Sequence, residues 1–182
     1  MKLIYADILK QWANCWKEAV LAGFLLMVAG RQISYIFNKH KSPRILLFAN
    51  GVFIYYLLYV TLLMRSIGSR REVEFLPFNS YELSRGDFHY LIENMLLFVP
   101  FGVLLYVNLY IYGRKCNIKT ILLTALLASV SIEFLQYAFS CGKSEIDDVL
   151  ANVLGALIGY AISRLIFWVF FSCKNSLSRK NT

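Results

Sequence analysis

The sequence predicts an all-α, polytopic membrane protein, and two observations carry that prediction. First, 58% of the 182 residues are hydrophobic, only 16% are charged, and the mean hydropathy is +0.55, a composition typical of membrane proteins. Second, five windows are each long enough to cross a bilayer, which takes about 20 apolar residues. The windows are 16–37, 45–64, 88–112, 120–139 and 148–171. Their short connections leave no room for a separate soluble domain, so residues 18–172 are expected to form one helical bundle.

The segment before the first window, residues 1–17, has the pattern of a short amphipathic helix. Its apolar residues Ile4, Ile8, Trp12 and Trp16 recur at helical spacing, and its polar residues lie between them. We expect this helix to lie in the headgroup region, with tryptophan at the interface.

Basic residues separate the apolar windows instead of forming one patch, although the formal net charge is +8. This arrangement is typical of topology signals and lipid-headgroup contacts, so membrane lipids are expected partners and nucleic acid is not. Lys and Arg are nearly balanced between the two sides, nine against eight, and the last three of the nine lie in a basic tail at 173–182. The short loops decide better, with three basic residues in the first and third and one in the fourth. They favour a cytoplasmic C-terminus.

The four cysteines show no spacing typical of metal ligands, and only two histidines are present. The sequence therefore predicts no metal site and no cofactor. Cys116 and Cys173 lie next to membrane windows, where palmitoylation and a role as small buried residues are both open.

Polar residues of four windows are expected at one end of the bundle. If windows two to five alternate in direction, the end of the second, the start of the third, the end of the fourth and the start of the fifth share one membrane face. Charged groups inside spans seldom occur without a partner or a water-filled cavity. The sequence thus predicts a ligand-binding site at that face, formed by Arg65, Arg85, Asn94, Glu133, Gln136, Lys143, Asp148 and Asn152.

Helical spacing places part of this set on two stripes. The fourth window carries Ser129, Glu133, Gln136 and Ser140 on one face, and the fifth carries Asp148, Asn152, Gly155 and Gly159 on another. The GxxxG pair of the second stripe lets a neighbouring backbone approach closely. We expect the two stripes to pack against each other.

Several roles remain open at this stage. Glu133 must be protonated or paired, and Arg65, Arg85 and Lys143 are its candidate cations by depth. It could serve a functional polar site or a structural bridge. Asp148, at a helix N-terminus, could cap the helix instead of binding a ligand.

Two features of the third window also have more than one interpretation. Pro100 predicts a kink, which either adjusts helix shape or opens a cavity beneath Asn94. His89 lies near Arg85 and Asp87, which is a grouping typical of catalysis. It lies at the very start of the apolar window, however, so we expect it to be solvated, and no catalytic residue is predicted.

Five short motifs resemble the VanZ-like family of bacterial membrane proteins. In order they are "TLLMR", "LPF", "ENMLLFVPFG", "EFLQ" and "DDVLANVLGALIG", and they extend from residue 61 to 159. Among the ligand-binding residues, the family pattern matches Arg65, Asn94, Glu133, Gln136, Asp148 and Asn152. It also matches Pro77, Phe78, Pro100, Phe101, Gly102, Gly155 and Gly159. Lys143 stands where the family commonly has arginine, and Glu145 where it commonly has aspartate.

The resemblance implies a multi-pass protein of the bacterial plasma membrane, associated with low-level resistance to glycopeptide antibiotics such as teicoplanin. Three functions are compatible with it. The polar end could bind a lipid-linked cell-wall intermediate or a lipoglycopeptide at the outer face, modulating the envelope without catalysis. Alternatively, the chain could be an intramembrane enzyme acting on a lipid-linked phosphate, or a structural partner subunit in a membrane complex of unknown stoichiometry.

Overall fold

The structure is a computed structural model that describes residues 2–36, 43–66, 68, 70–74 and 85–180. This part of the chain contains five α-helices and two short β-strands. They are α1 (Lys2–Ile36), α2 (Arg44–Leu58, continued by the π-helical turn Tyr59–Leu63), β1 (Arg70–Glu74), α3 (Arg85–Ile111), α4 (Ile118–Phe139), β2 (Cys141–Glu145) and α5 (Ile146–Lys180). Every helix contains a stretch long and apolar enough to span a membrane. The prediction of an all-α, multi-span bundle is confirmed.

The apolar stretches of the helices agree with four of the five predicted windows to within two residues. They are Ile8–Gln32, Arg44–Leu63, His89–Ile111, Ile118–Phe139 and Ile146–Ser172. The first stretch begins earlier than expected because α1 is a single uninterrupted helix, and no break separates its first 17 residues from the span. The headgroup position of that segment stays a prediction.

Helices α1 and α2 pack closely along one another. Gly51 of α2 lies so near the backbone of α1 that an added Cβ would be 2.7 Å from the carbonyl oxygen of Ala22. Further towards the start of α1, the ring of Trp12 meets that of Tyr56 edge to face, with centroids 5.4 Å apart. A glycine contact and an aromatic contact therefore fix the pair at two levels.

Two contacts join α2 to α3. Asn50 and Asn108 exchange hydrogen bonds through their side-chain amides, at 3.1 and 3.0 Å. Nearer the polar end, the rings of Phe53 and Phe101 lie 6.4 Å apart. In an apolar bundle, a paired amide leaves neither partner with an unsatisfied polar group, so this contact specifies which faces of α2 and α3 meet.

Helices α3 and α5 run parallel and touch through their backbones. Gly155 and Gly159 lie against carbonyl oxygens of α3, and Gly102 of α3 lies against the carbonyl of Ala156. A side chain at any of these three glycines would overlap backbone atoms. The expectation that Gly155 and Gly159 face α4 is therefore wrong. The two glycines instead allow α5 to approach the backbone of α3, and Gly102 allows the same close approach from the side of α3.

The apolar core lies between α3, α4 and α5. Its centre includes Phe98, Ile121 and Ala125, all fully buried, together with Ala156. Helix α4 begins at a cap formed by Asn117, whose side-chain oxygen accepts a hydrogen bond from the backbone N–H of Thr120 at 2.8 Å. The core fixes the relative heights of these three helices, and hence the level at which their polar ends meet.

The two strands pair in parallel across the polar end of the bundle, from Arg70 opposite Cys141 to Glu74 opposite Glu145. The connections after α2 and α4 are expected from the sequence to be loops, so the strands correct that expectation. Neither segment has an alternating apolar pattern, and each has its hydrogen-bonding partner about 70 residues away. The pairing links the connection after α2 to the connection after α4.

Candidate functional site

Glu133 joins α4 to β2 through both its side chain and its backbone. Its Oε2 accepts a hydrogen bond from the backbone N–H of Glu145 at 3.2 Å. Its backbone carbonyl accepts another from the hydroxyl of Ser144 at 2.9 Å. The residue is only 8% exposed. Glu133 therefore has a structural role, whatever its part in binding.

Gln136 lies one turn further along α4 and bonds to the end of α2. Its Nε2 donates to the backbone carbonyl of Thr61 at 3.0 Å. Thr61 lies in the π-helical turn, and α2 ends before a regular i→i+4 hydrogen bond could use that carbonyl. The irregular end of α2 thus provides an acceptor for Gln136, which is 2% exposed.

Asn152 of α5 contacts the polar stripe of α4. Its Nδ2 donates a hydrogen bond to the hydroxyl of Ser129 at 2.8 Å, and both side chains are buried. The predicted contact between the two stripes is therefore present at Asn152. Further along the stripe of α5, Gly155 lies against α3 instead of α4.

Two buried acceptors at this end have no partner among the described residues. They are Oε1 of Gln136 and Oδ1 of Asn152. An unpaired buried acceptor costs about 1–3 kcal/mol, and such groups are usually satisfied by protein or by water. The buried part of the site thus has unused hydrogen-bonding capacity.

Arg65, at the end of α2, reaches over β2. Its Nη1 lies 2.7 Å from the position that a Cβ on Gly142 would occupy, so the guanidinium rests on a residue without a side chain. Arg65 also lies close enough to Glu133 and Asp148 for electrostatic attraction to both. The predicted pairing of Glu133 with Arg65 is consistent with this arrangement.

Lys143 is not the partner of Glu133. Its Nζ forms an ion pair with Oε1 of Glu145 at 2.8 Å, on the same strand. Arg85 is the first residue of α3, and its side chain lies outside the described part of the structure. Of the two candidate cations whose side chains the structure describes, Arg65 is the one placed near Glu133.

Asp148 does not cap α5. The helix begins at Ile146, and Asp148 is the third residue of its first turn. Its charge still lies near the positive end of the helix dipole, and the amide of Asn94 on α3 is within hydrogen-bonding reach of its carboxyl group. Asp148 therefore connects α5 to α3, in addition to facing Arg65.

The other residues singled out at this end have separate positions. His89 is partly buried, and its Nδ1 lies 3.6 Å from Oε1 of Glu93 on the next turn, so it is not simply solvated. Pro77 and Phe78 lie outside the described residues. In the part of the chain that the structure describes, no three Asp, Glu, His or Cys side chains group as a metal site.

A cavity of about 620 Å³ opens beside the polar residues, bordered by α1, α2, α3, β2 and the start of α5. Its polar end is lined by Arg65, Asn94, Lys143, Glu145 and Asp148. Its apolar part is lined by Phe53, Val60, Leu96, Leu97 and Pro100. Because Pro100 lies six residues beyond Asn94, the cavity extends about 9 Å down α3 into the bundle. A cavity therefore lies beneath Asn94, as in one of the two interpretations left open for Pro100.

The predicted site therefore divides into two layers. Arg65, Asn94, Lys143 and Asp148 line the cavity, whereas the more deeply buried Glu133, Gln136 and Asn152 hold α2, β2, α4 and α5 together behind it. We define these as the lining layer and the supporting layer.

Comparison with known proteins bears on the family to which this arrangement belongs. The family model described as VanZ/LLP1 matches residues 47–168, which include α2 to most of α5. The chain belongs to the VanZ/LLP1 family. It is also 31% identical over 90 residues to Protein VanZ of Enterococcus faecium, a match that covers 50% of this chain and 51% of that protein. The chain thus aligns with about half the length of that relative. No solved structure matches the chain.

Membership of the VanZ/LLP1 family confirms the resemblance carried by the five motifs. Four of the five motifs contain residues of the lining and supporting layers. Three residues of the site were not predicted from the sequence: Thr61, Ser144 and Tyr56. Thr61 and Ser144 contribute through hydrogen bonds to Gln136 and Glu133, which the sequence does not reveal. Tyr56 lines the cavity, but in the sequence it is an ordinary residue of a membrane span.

Proposed function

We propose that this VanZ-family protein binds the headgroup of an amphiphilic envelope molecule, a lipid-linked cell-wall intermediate or a lipoglycopeptide, at the outer membrane face. The observation that carries the proposal is the cavity, which joins a charged end to an apolar end inside one bundle. A soluble polar ligand would leave the apolar wall without a partner. A molecule with a polar head and a hydrocarbon chain matches both parts.

The charges of the lining layer suit such a head. Arg65 and Lys143 supply donors for phosphate or carboxylate oxygens, whereas Asp148 and Asn94 offer acceptors and an amide for sugar or peptide groups. Lys143 acts as a point charge, and Arg65 is the residue able to make a two-pronged contact. Arg65 is accordingly the first residue to test.

The distribution of charge along the helices supports an outward-facing polar end. Asp and Glu are absent from residues 19–71, 94–132 and 149–182, which include the opposite end of every span and its connections. Eleven of the 19 basic residues lie at that opposite end: Arg31, Lys39, Lys41, Arg44, Arg114, Lys115, Lys119, Arg164, Lys174, Arg179 and Lys180. An excess of Lys and Arg at one end is typical of the cytoplasmic side, which supports an arrangement with the cavity outside and the C-terminus inside.

Susceptibility to teicoplanin tests the proposal. A bacterial host carrying an empty vector is compared with hosts expressing the wild type, Arg65→Gln or Glu133→Gln. We expect the wild type to raise the inhibitory concentration and Arg65→Gln to return it to the empty-vector value. The matched control is Arg31→Gln, which removes the same charge from an exposed position near the end of α1, far from the residues of α1 that line the cavity. Membrane levels of each variant are measured in parallel.

Binding is tested separately with the purified full chain in lipid nanodiscs. Teicoplanin and a polyprenyl-diphosphate-linked cell-wall precursor are titrated in turn, and thermal stabilisation is recorded, because a ligand that binds the folded state raises its melting temperature. Stabilisation that is lost in Arg65→Gln and kept in Arg31→Gln is the expected result. No stabilisation by either molecule, with no change in susceptibility, would rule out this function.

An intramembrane enzyme acting on a lipid-linked phosphate is the second candidate. One observation favours it: Glu133 and Asp148 lie near each other and near Arg65, a grouping that could move a proton beside a bound phosphate. Incubating the same nanodiscs with undecaprenyl phosphates and following phosphate release distinguishes the two. Turnover that Glu133→Gln abolishes would favour the enzyme.

A further inference from the structure

A second cavity, of about 590 Å³, lies at the opposite end of the bundle. It is bordered by the end of α3, the start of α4 and the middle of α5. At its base, Cys116 of the connection after α3 packs against the apolar core. The polar and aromatic side chains of its lining include Tyr110, Arg114, Asn117, Tyr160 and Arg164.

The cavity is strongly cationic. Arg114 and Arg164 both line it, and no acidic residue occurs between 94 and 132 or after Asp148. Arg164 is fully exposed, and the one hydrogen bond it donates within the described chain is to the hydroxyl of Tyr160, at 3.3 Å. This neutral partner leaves the positive charge of the guanidinium uncompensated.

The first turn of α4 adds further donors. Asn117 caps this 22-residue helix and points its N-terminus at the cavity. The cap accepts the N–H of Thr120, whereas the N–H groups of the two preceding helical residues have no acceptor within the helix, and the dipole there favours an anion. Two guanidinium groups and a helix N-terminus thus face one recess.

The remaining wall is aromatic and lies beside lipid. Tyr110 is 46% exposed, and its ring packs on that of Phe167 with centroids 4.7 Å apart. Tyrosine at such a level is typical of the boundary between headgroups and hydrocarbon. A lipid whose phosphate enters the recess can keep its hydrocarbon chains against the first turns of α4, where Leu122, one turn deeper in the membrane than the recess-lining Ile118, is 45% exposed.

We propose that this recess binds the phosphate headgroup of an anionic phospholipid. Arg114 and Arg164 contact the phosphate oxygens, the start of α4 faces them with backbone N–H groups, and Tyr110 and Tyr160 flank the glycerol backbone. The site is distinct from the cavity at the polar end, and it does not depend on the function proposed there.

Fluorescence of a single tryptophan introduced by Leu122→Trp tests the proposal, because position 122 is exposed one turn deeper in the membrane than Ile118, which lines the recess. The three native tryptophans are replaced (Trp12→Phe, Trp16→Phe, Trp168→Phe), which leaves the introduced residue as the sole tryptophan of the full chain. The protein is reconstituted in phosphatidylcholine vesicles containing a small fraction of phosphatidylglycerol with brominated chains, or of brominated phosphatidylcholine as the matched lipid. We expect stronger quenching by the brominated anionic lipid.

Variants locate the preference. Arg164→Gln and Arg114→Gln are each expected to lower the preference for the anionic lipid by about fivefold, the usual contribution of one basic residue at a membrane surface. Arg44→Gln removes an equal charge from an exposed position at the same end, outside the recess, and is expected to leave the preference unchanged. Equal losses in all three variants, or no preference in the wild type, would overturn the proposal.

A competition experiment separates a lipid from a soluble anion. Millimolar inorganic phosphate is added at constant ionic strength, and quenching is measured again. An unchanged preference is expected, because the lipid is also held by its chains. Displacement by free phosphate would overturn the assignment to a lipid headgroup.

Discussion

Oε2 of Glu133, near the end of α4, accepts a hydrogen bond from the backbone N–H of Glu145, 12 residues later, at 3.2 Å. This contact folds β2 back over the helix from which it emerges. It places Lys143 at the mouth of the cavity and brings Gly142 beneath the guanidinium of Arg65. One buried carboxyl group therefore positions residues of the lining layer without lining the cavity itself.

Glu133→Ala is expected to destabilise the protein more than Glu133→Gln. Alanine leaves the N–H of Glu145 without its acceptor, at a cost of about 1–3 kcal/mol. Glutamine keeps an oxygen at the same position and loses only the charge. Melting temperatures of the two variants in detergent check this, and equal temperatures would show that the hydrogen bond does not hold β2.

Gly159→Ala is expected to destabilise the contact between α3 and α5. The added methyl group would overlap the carbonyl oxygen of Val99, and overpacking of this kind costs about 1–3 kcal/mol. The control is Ala161→Val, which adds two methyl groups at an exposed position of the same helix. Detergent melting curves should show a lower transition for Gly159→Ala and an unchanged one for the control.

Gly142→Ala is expected to reproduce the loss of function of Arg65→Gln while Arg65 is still present. The new Cβ would lie 2.7 Å from Nη1 of Arg65, and φ at this position is 151°, in the region that favours glycine. The guanidinium must therefore move. Teicoplanin susceptibility is the measurement. Wild-type susceptibility in this variant would mean that the resting position of Arg65 on β2 is not needed.

Val60→Trp is expected to block binding without unfolding the bundle. Val60 lines the apolar part of the cavity, and an indole ring there would occupy the space assigned to a hydrocarbon chain. Val130→Trp serves as the control, since Val130 is 50% exposed on the outer face of α4. Ligand-induced thermal stabilisation should disappear in the first variant alone. Its persistence in Val60→Trp would place the hydrocarbon chain elsewhere.

Cysteine labelling is expected to place the two cavities on opposite sides of the membrane. Native Cys141 is buried and Cys116 half-buried, so neither is a good reporter. In a cysteine-free background, Ser66→Cys at the polar end should react with an impermeant maleimide in intact cells. Ile118→Cys, at the start of α4, should react only after permeabilisation. The reverse pattern would put the polar end in the cytoplasm.

Much of the architecture could be predicted from the chain itself. The hydrocarbon core requires about 20 apolar residues in a row whose backbone groups are satisfied within the helix. The hydrophobicity of consecutive residues therefore predicted the membrane spans of α2 to α5 to within two residues at each end. Strict alternation of those spans then brought Arg65, Asn94, Glu133 and Asp148 to one end.

The tertiary structure decided which of these neighbours touch. Gly155 and Gly159 face α3 instead of α4, Lys143 pairs with Glu145 instead of Glu133, and β1 pairs with β2. Helical periodicity assigns a residue to a face of its own helix, but it cannot specify the helix that covers that face. The rotation of each helix is set by close packing and by buried hydrogen bonds between residues far apart in the chain. The division into a lining and a supporting layer follows from those contacts.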